Sequence, residues 1–215
     1  MANGELPSAI VDVRSTDPIP EIPDSVVDNF EEALYEDKGN TLSNYYGGDL
    51  SQATRQQTTV FEGSYALEFA ASGDSYSISR TDVSVGGTDT ITDYVYMSST
   101  NVSDSGPFVC TQQADATPAG YWLTINPSRG IALFRQDTSG NYTIVAGRTG
   151  NSLPTGEWLQ TEISGFDTGD LVYTIYDSGG TQLQQVSGTD STYQSGGIGF
   201  RATTDTVFYD LVDAQ

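Results

Sequence analysis

From residue 64 onward the chain alternates apolar and polar residues over short stretches, cut apart every few residues by Gly, Asp, Asn or Pro. Side chains on a strand face opposite ways in turn, so this rhythm specifies strands with one side toward a core. In Ser64-Tyr65-Ala66-Leu67-Glu68-Phe69, the residues Tyr65, Leu67 and Phe69 share one side. The same reading predicts strands over residues 75–80, 90–98, 108–111, 121–125, 131–136, 142–146, 158–163, 171–177, 182–186, 198–202 and 207–212. Turn sequences such as NPSRG, DTSGN, DTGD, DSGG and TTDT separate many of them. Only residues 30–35 suit a helical turn, and residues 35–51 read as a polar loop with the pair Gly47-Gly48. So many short strands at this spacing predict an all-β domain over residues 26–215, a two-sheet antiparallel sandwich.

Residues 1–25 have another texture. Pro7, Pro18, Pro20 and Pro23 punctuate them, which excludes a helix or a central strand. Residues 9–13 alternate enough for one short strand. Either this is a tail without fixed structure, or it is an extended arm that anchors the protein in a homo-oligomer by lying along a neighbouring subunit. The opening residues lack a charged lead followed by an apolar run, so no signal peptide is expected. No apolar run is long enough to span a bilayer.

Charge restricts function. There are 29 acidic residues against 8 basic ones and no histidine, a formal net charge of -21. Nucleic acid is an unsuitable partner, because phosphate binding needs clustered Lys and Arg. Lys38 is the one lysine. Such a surface is self-repelling in dilute buffer and screened in brine, which points to a hypersaline medium. One cysteine, Cys110, excludes an intramolecular disulfide; its setting in PFVCTQ suits a small buried hydrophobe.

The order of motifs is more specific than a generic sandwich. It includes Gly156-Glu157-Trp158 opening a strand and Tyr176-Asp177-Ser178-Gly179-Gly180 ending one. Ser195-Gly196-Gly197-Ile198-Gly199-Phe200 and the closing Phe208-Tyr209-Asp210-Leu211-Val212 follow, with Asn29-Phe30-Glu31 and Glu62-Gly63-Ser64-Tyr65-Ala66-Leu67-Glu68 in the first half. This order resembles the concanavalin A-like lectin/glucanase jelly roll, in particular its laminin-G-like and carbohydrate-binding relatives. With the acidity and the proline-rich arm, the chain also resembles virion structural proteins of tailed viruses of halophilic archaea. The resemblance implies a non-enzymatic virion surface protein of turret, tail-fibre or decoration type, trimeric or pentameric, held to other virion proteins by residues 1–25 and adhering to host glycans. A carbohydrate-binding module or lectin without a virion role is the alternative, and a diverged glycoside hydrolase a third. The fold hosts all three.

Catalysis finds little support. Glucanases of this superfamily use a Glu-x-Asp-x-x-Glu strand, absent here; Glu157 and Glu162 are an odd five residues apart and fall on opposite faces. Without histidine no Ser-His-Asp device exists. Sugar binding has better candidates. Tyr94 and Tyr96 share a face opposite Val95 and Met97, and Trp122, Phe134 and Tyr142 lie on successive strands near Asn126 and Arg135. Aromatic rings beside such polar groups suit sugar stacking, but Trp122 and Phe134 equally suit the core, and for Trp158 the core is the expectation. By the same resemblance, Glu31, Asp49 and Asp210 match the positions of a structural Ca²⁺. Asn101 and Asn141 begin N-glycosylation sequons.

Overall fold

A computed structural model describes residues 26–28, 30, 45–47, 52–71, 76–114 and 117–215. The expected arm, the helical turn beyond Phe30, Glu31 and Asp49 lie outside the described residues.

The described residues form fifteen strands and no helix. They are β1 (Val26–Asp28), β2 (Tyr46–Gly47), β3 (Ala53–Gln56), β4 (Ala66–Ala71), β5 (Tyr76–Gly86), β6 (Ile91–Met97), β7 (Gly106–Thr111) and β8 (Gly120–Asn126). Then come β9 (Gly130–Gln136), β10 (Tyr142–Ala146), β11 (Trp158–Ser164), β12 (Asp170–Tyr176), β13 (Gln182–Thr189), β14 (Ser195–Ala202) and β15 (Asp205–Ala214). All pairings are antiparallel, in two sheets. The first, of eight strands, runs β13-β12-β11-β6-β15-β4-β3, with β1 also on β15. The second, of seven, runs β10-β9-β8-β7-β14-β5-β2. The chain thus crosses repeatedly between layers, as a jelly-roll sandwich does.

Alternation explains the layering. On β6, Ile91, Val95 and Met97 are buried while Thr92, Tyr94 and Tyr96 are half-buried; on β11, Leu159 and Ile163 are buried between half-buried Trp158, Gln160 and Glu162. From the opposing sheet, Tyr121, Leu123, Ile125, Ile131 and Leu133 fill the other half of the core. Cys110 belongs to this core, and burial pushes its thiol up to about 12, which leaves it protonated and unreactive. Three segments differ from expectation, the first being β1, which pairs with β15 where the sequence reading places no strand. Residues 46–47, read as loop, pair with β5, and β3 carries too little apolar alternation to be read as a strand.

Candidate functional site

Across the outer face of the eight-stranded sheet, cross-strand register lays side chains in three parallel rows. Phe208, Tyr96 and Trp158 are direct neighbours on β15, β6 and β11. Two residues along, Asp210, Tyr94, Gln160 and Tyr176 form the second row, over β15, β6, β11 and β12. Thr92, Glu162, Thr174 and Gln185 form the third, reaching β13. Rows two residues apart are about 7 Å from each other. The face therefore grades from aromatic to polar along the strands.

The aromatic end is a contiguous patch. Tyr96 meets Trp158 at 5.6 Å and Phe208 at 5.7 Å between ring centroids. Phe61, from the loop before β4, stacks on Tyr94 at 3.7 Å with planes 16° apart, its edge toward Trp158. Its own outer surface stays open, at 40% exposure. Asp210 fixes that loop: its fully buried carboxylate accepts the Phe61 N–H at 2.8 Å, the Glu62 N–H at 3.2 Å and the Leu211 N–H at 2.8 Å.

The polar end is wired together. The Tyr94 hydroxyl donates to Gln160 Oε1 at 3.4 Å, and Gln160 Nε2 donates to Glu162 Oε1 at 2.6 Å. Burial first, and then the neighbouring Glu162 carboxylate, raise Tyr176 above the ordinary phenol range. Burial, then the charges of Glu62 and Glu162, raise Tyr94 as well. Gln185 Nε2 donates to Thr174 at 2.9 Å.

The expected sugar residues separate into distinct places. Tyr94 and Tyr96 stand in this patch. Trp122 and Phe134 lie on the outer face of the seven-stranded sheet, off the core, in a row with Phe108 and Ile144. Tyr142 packs on Trp122 there, and the Arg201 guanidinium lies 4.4 Å over the Trp122 ring and bonds the Tyr142 hydroxyl. Arg135 does not join them. It pairs with Asp190 at 2.6 Å, beside Thr192 and below the Tyr121 hydroxyl, on the side opposite Phe134. Asn126 organises a turn, donating to Asp104 and accepting the Ser128 N–H.

Trp158 corrects expectation. It is half-buried on the outer face, because Leu159 and Ile163 take the inward positions of β11. The alternation of WLQTEI carried that signal. Phe61 and Phe208 were missed, Phe61 because a loop residue has no periodic neighbours.

Among the described residues no group of three or more acidic, Cys or His side chains is arranged to hold a metal ion. Asp210 is engaged by backbone N–H groups, as above. Of the sequon asparagines, both are exposed, but the Asn141 amide donates to Asp137 at 3.0 Å whereas Asn101 lies at a turn. Glu157 precedes β11 and accepts the Ser178 hydroxyl, leaving Glu162 without a carboxylate partner on its strand.

No protein-family model matches the chain, and no curated protein sequence does. Solved structures do. The chain is similar to carbohydrate binding module CBM66 from Bacillus subtilis, with a TM-score of 0.57 and 14% identity over 80% of this chain and 95% of that one. A Bacillus subtilis protein of unknown function with a galectin-like fold matches at a TM-score of 0.55 and 12% identity, over 80% and 87%. Cellulose induced protein Cip1 matches at 0.52 and 12% identity, over 79% and 86%. At these identities the likeness establishes the jelly-roll β-sandwich.

Proposed function

We propose that the chain is a non-catalytic carbohydrate-binding β-sandwich whose binding surface is the outer face of the eight-stranded sheet. The observation that carries this is the patch of Phe61, Tyr94, Tyr96 and Trp158 laid against the polar side chains of Gln160, hydrogen-bonded to Glu162, and Tyr176. Rings take the apolar face of a pyranose, and amide, phenol and carboxylate take its hydroxyls. The fold likeness to a carbohydrate-binding module agrees with this placement. It favours a glycan-binding module over a virion attachment protein, whose anchoring would rest on residues 1–25.

The test is calorimetric titration with a panel of soluble oligosaccharides. Trp158→Ala should weaken binding by about tenfold or more. Tyr142→Ala, on the other sheet, should leave affinity within about twofold. Binding that survives loss of Trp158 and disappears with Tyr142 would overturn the assignment of this face.

A further inference from the structure

The charge around the aromatic patch differs from that of the rest of the described surface. Glu162 stands in the third row and Glu68 is the direct cross-strand neighbour of Phe208. Glu62 is exposed beside Phe61 and raises Tyr94 together with Glu162 and Asp213. No described arginine stands in the three rows. Arg55, on β3 of this sheet, is buried and shares the inward side of its cross-strand neighbour Leu67. The other described arginines belong to the seven-stranded sheet or its connections, where Arg80, Arg135 and Arg148 each pair with an aspartate.

Glu162 is also the most organised of these acids. Gln160 holds it from two residues away on β11, Tyr176 of β12 lies near it, and it stands within the sheet's polar row. A carboxylate accepts at about four lone-pair sites. One donor, from Gln160, therefore leaves acceptor capacity for a ligand. Trp158 and Glu162 are four residues apart on one strand and one face, so about 13 Å separates them. A sugar chain stacked on Trp158 and Phe61 and running along β11 places a later ring over Glu162. An ammonium there meets a fixed carboxylate and the Tyr94 and Tyr176 rings; a uronate meets a second negative charge with no cation among the described residues of the three rows to offset it.

Resting on the carbohydrate reading above, we propose that this face selects amino sugars carrying a free ammonium group, with Glu162 as the specificity-determining residue, and rejects uronates.

The test compares four probes of equal length by calorimetry in 0.15 M salt: a glucosamine oligomer, its N-acetylated form, a cello-oligosaccharide and an oligogalacturonate. The expected order places the glucosamine oligomer about tenfold tighter than either neutral probe, with the uronate unbound. Glu162→Gln, which keeps a hydrogen-bonding side chain for neutral hydroxyls but removes the charge, should cost the glucosamine oligomer about tenfold more than it costs either neutral probe. Asp167→Asn deletes an equal charge in the exposed turn between β11 and β12, beyond the end of the three rows, and should leave all four within about twofold. Equal affinity for charged and neutral probes, or equal losses from the Glu162 and Asp167 substitutions, would overturn the amino-sugar assignment while sugar binding stands. Tighter uronate binding would overturn it too. Failure of all four probes to bind, with Trp158→Ala indistinguishable from wild type, would instead remove the carbohydrate reading itself.

Discussion

At the scale of single residues, Asp93 is a costly group in the fold. It occupies an inward position of β6 between Ile91 and Val95, is 2% exposed, and neither carboxylate oxygen has a well-formed hydrogen bond. Burial raises it well above the ordinary carboxylate range, and the charge of Asp210 raises it further; the Tyr94 N–H opposes this weakly. Tyr173 of β12 and Tyr209 of β15 face it, both raised by their own burial and then by Asp93, and the Tyr209 hydroxyl is committed to the Arg201 carbonyl at 2.6 Å. The sign follows from linkage. Below about pH 4 the group is protonated folded or unfolded, and no penalty arises. As pH rises toward the elevated folded value, only the unfolded chain ionises freely, so stability falls. Asp93→Asn should therefore stabilise the protein at pH 7 by about 1–3 kcal/mol, a gain that shrinks toward pH 4, read from urea melts at the two pH values. A variant less stable than wild type at pH 7, or a gain independent of pH, would remove this account. Asp93 was legible as an inward position from the period of β6, yet the missing partner was not. Partners come from elements distant in the chain, as do two of the three amide donors to Asp210, which sit about 150 residues away in the loop before β4.

At the scale of elements, alternation marks strands only where a strand has two unlike faces. On β6 and β11 it reads directly into the structure, and it also places Trp158 once Leu159 and Ile163 are assigned inward. It fails on β3, where Arg55 is buried with its guanidinium 3.6 Å from the Tyr65 ring centre, an arrangement no apolar pattern announces. It says nothing of faces on β7 and β8, where every residue is buried because the outer side is itself covered by Phe108, Trp122 and their neighbours. Close approach in this region is set by glycine. Gly106 opens β7 at φ 147°, and a side chain there would drive into the Leu123 carbonyl of β8. Gly180, in the β12–β13 turn, has φ 78° and open space around it. Gly106→Ala should therefore destabilise by about 3 kcal/mol or more, through backbone collision, and Gly180→Ala by only about 1 kcal/mol, through left-handed strain. Denaturant midpoints of the two variants check this; equal losses would show that β7 and β8 can separate at little cost.

At the scale of the whole molecule, the sandwich answers how the chain folds but leaves its charge to be managed by solvent. A formal charge of -21 is set against ion pairs such as Arg80–Asp82, Arg135–Asp190 and Arg148–Asp104, of which Arg80–Asp82 has an exposed acid and so contributes little. The sequence reading of a hypersaline medium becomes a measurement here. Screening acts early, because the Debye length falls from about 30 Å at 0.01 M to about 10 Å at 0.1 M and about 3 Å at 1 M. Strengthened burial by excluded salts continues to grow with concentration. If carboxylate repulsion governs, the melting temperature should rise by several degrees between 0.05 and 0.5 M sodium chloride and flatten beyond 1 M, as followed by near-ultraviolet circular dichroism. A melting temperature that is flat or falling over the first half-molar would mean that the acidic surface imposes no folding penalty. The composition would then carry no message about the medium, and only its selection among ligands at the aromatic face would remain as a consequence of the charge.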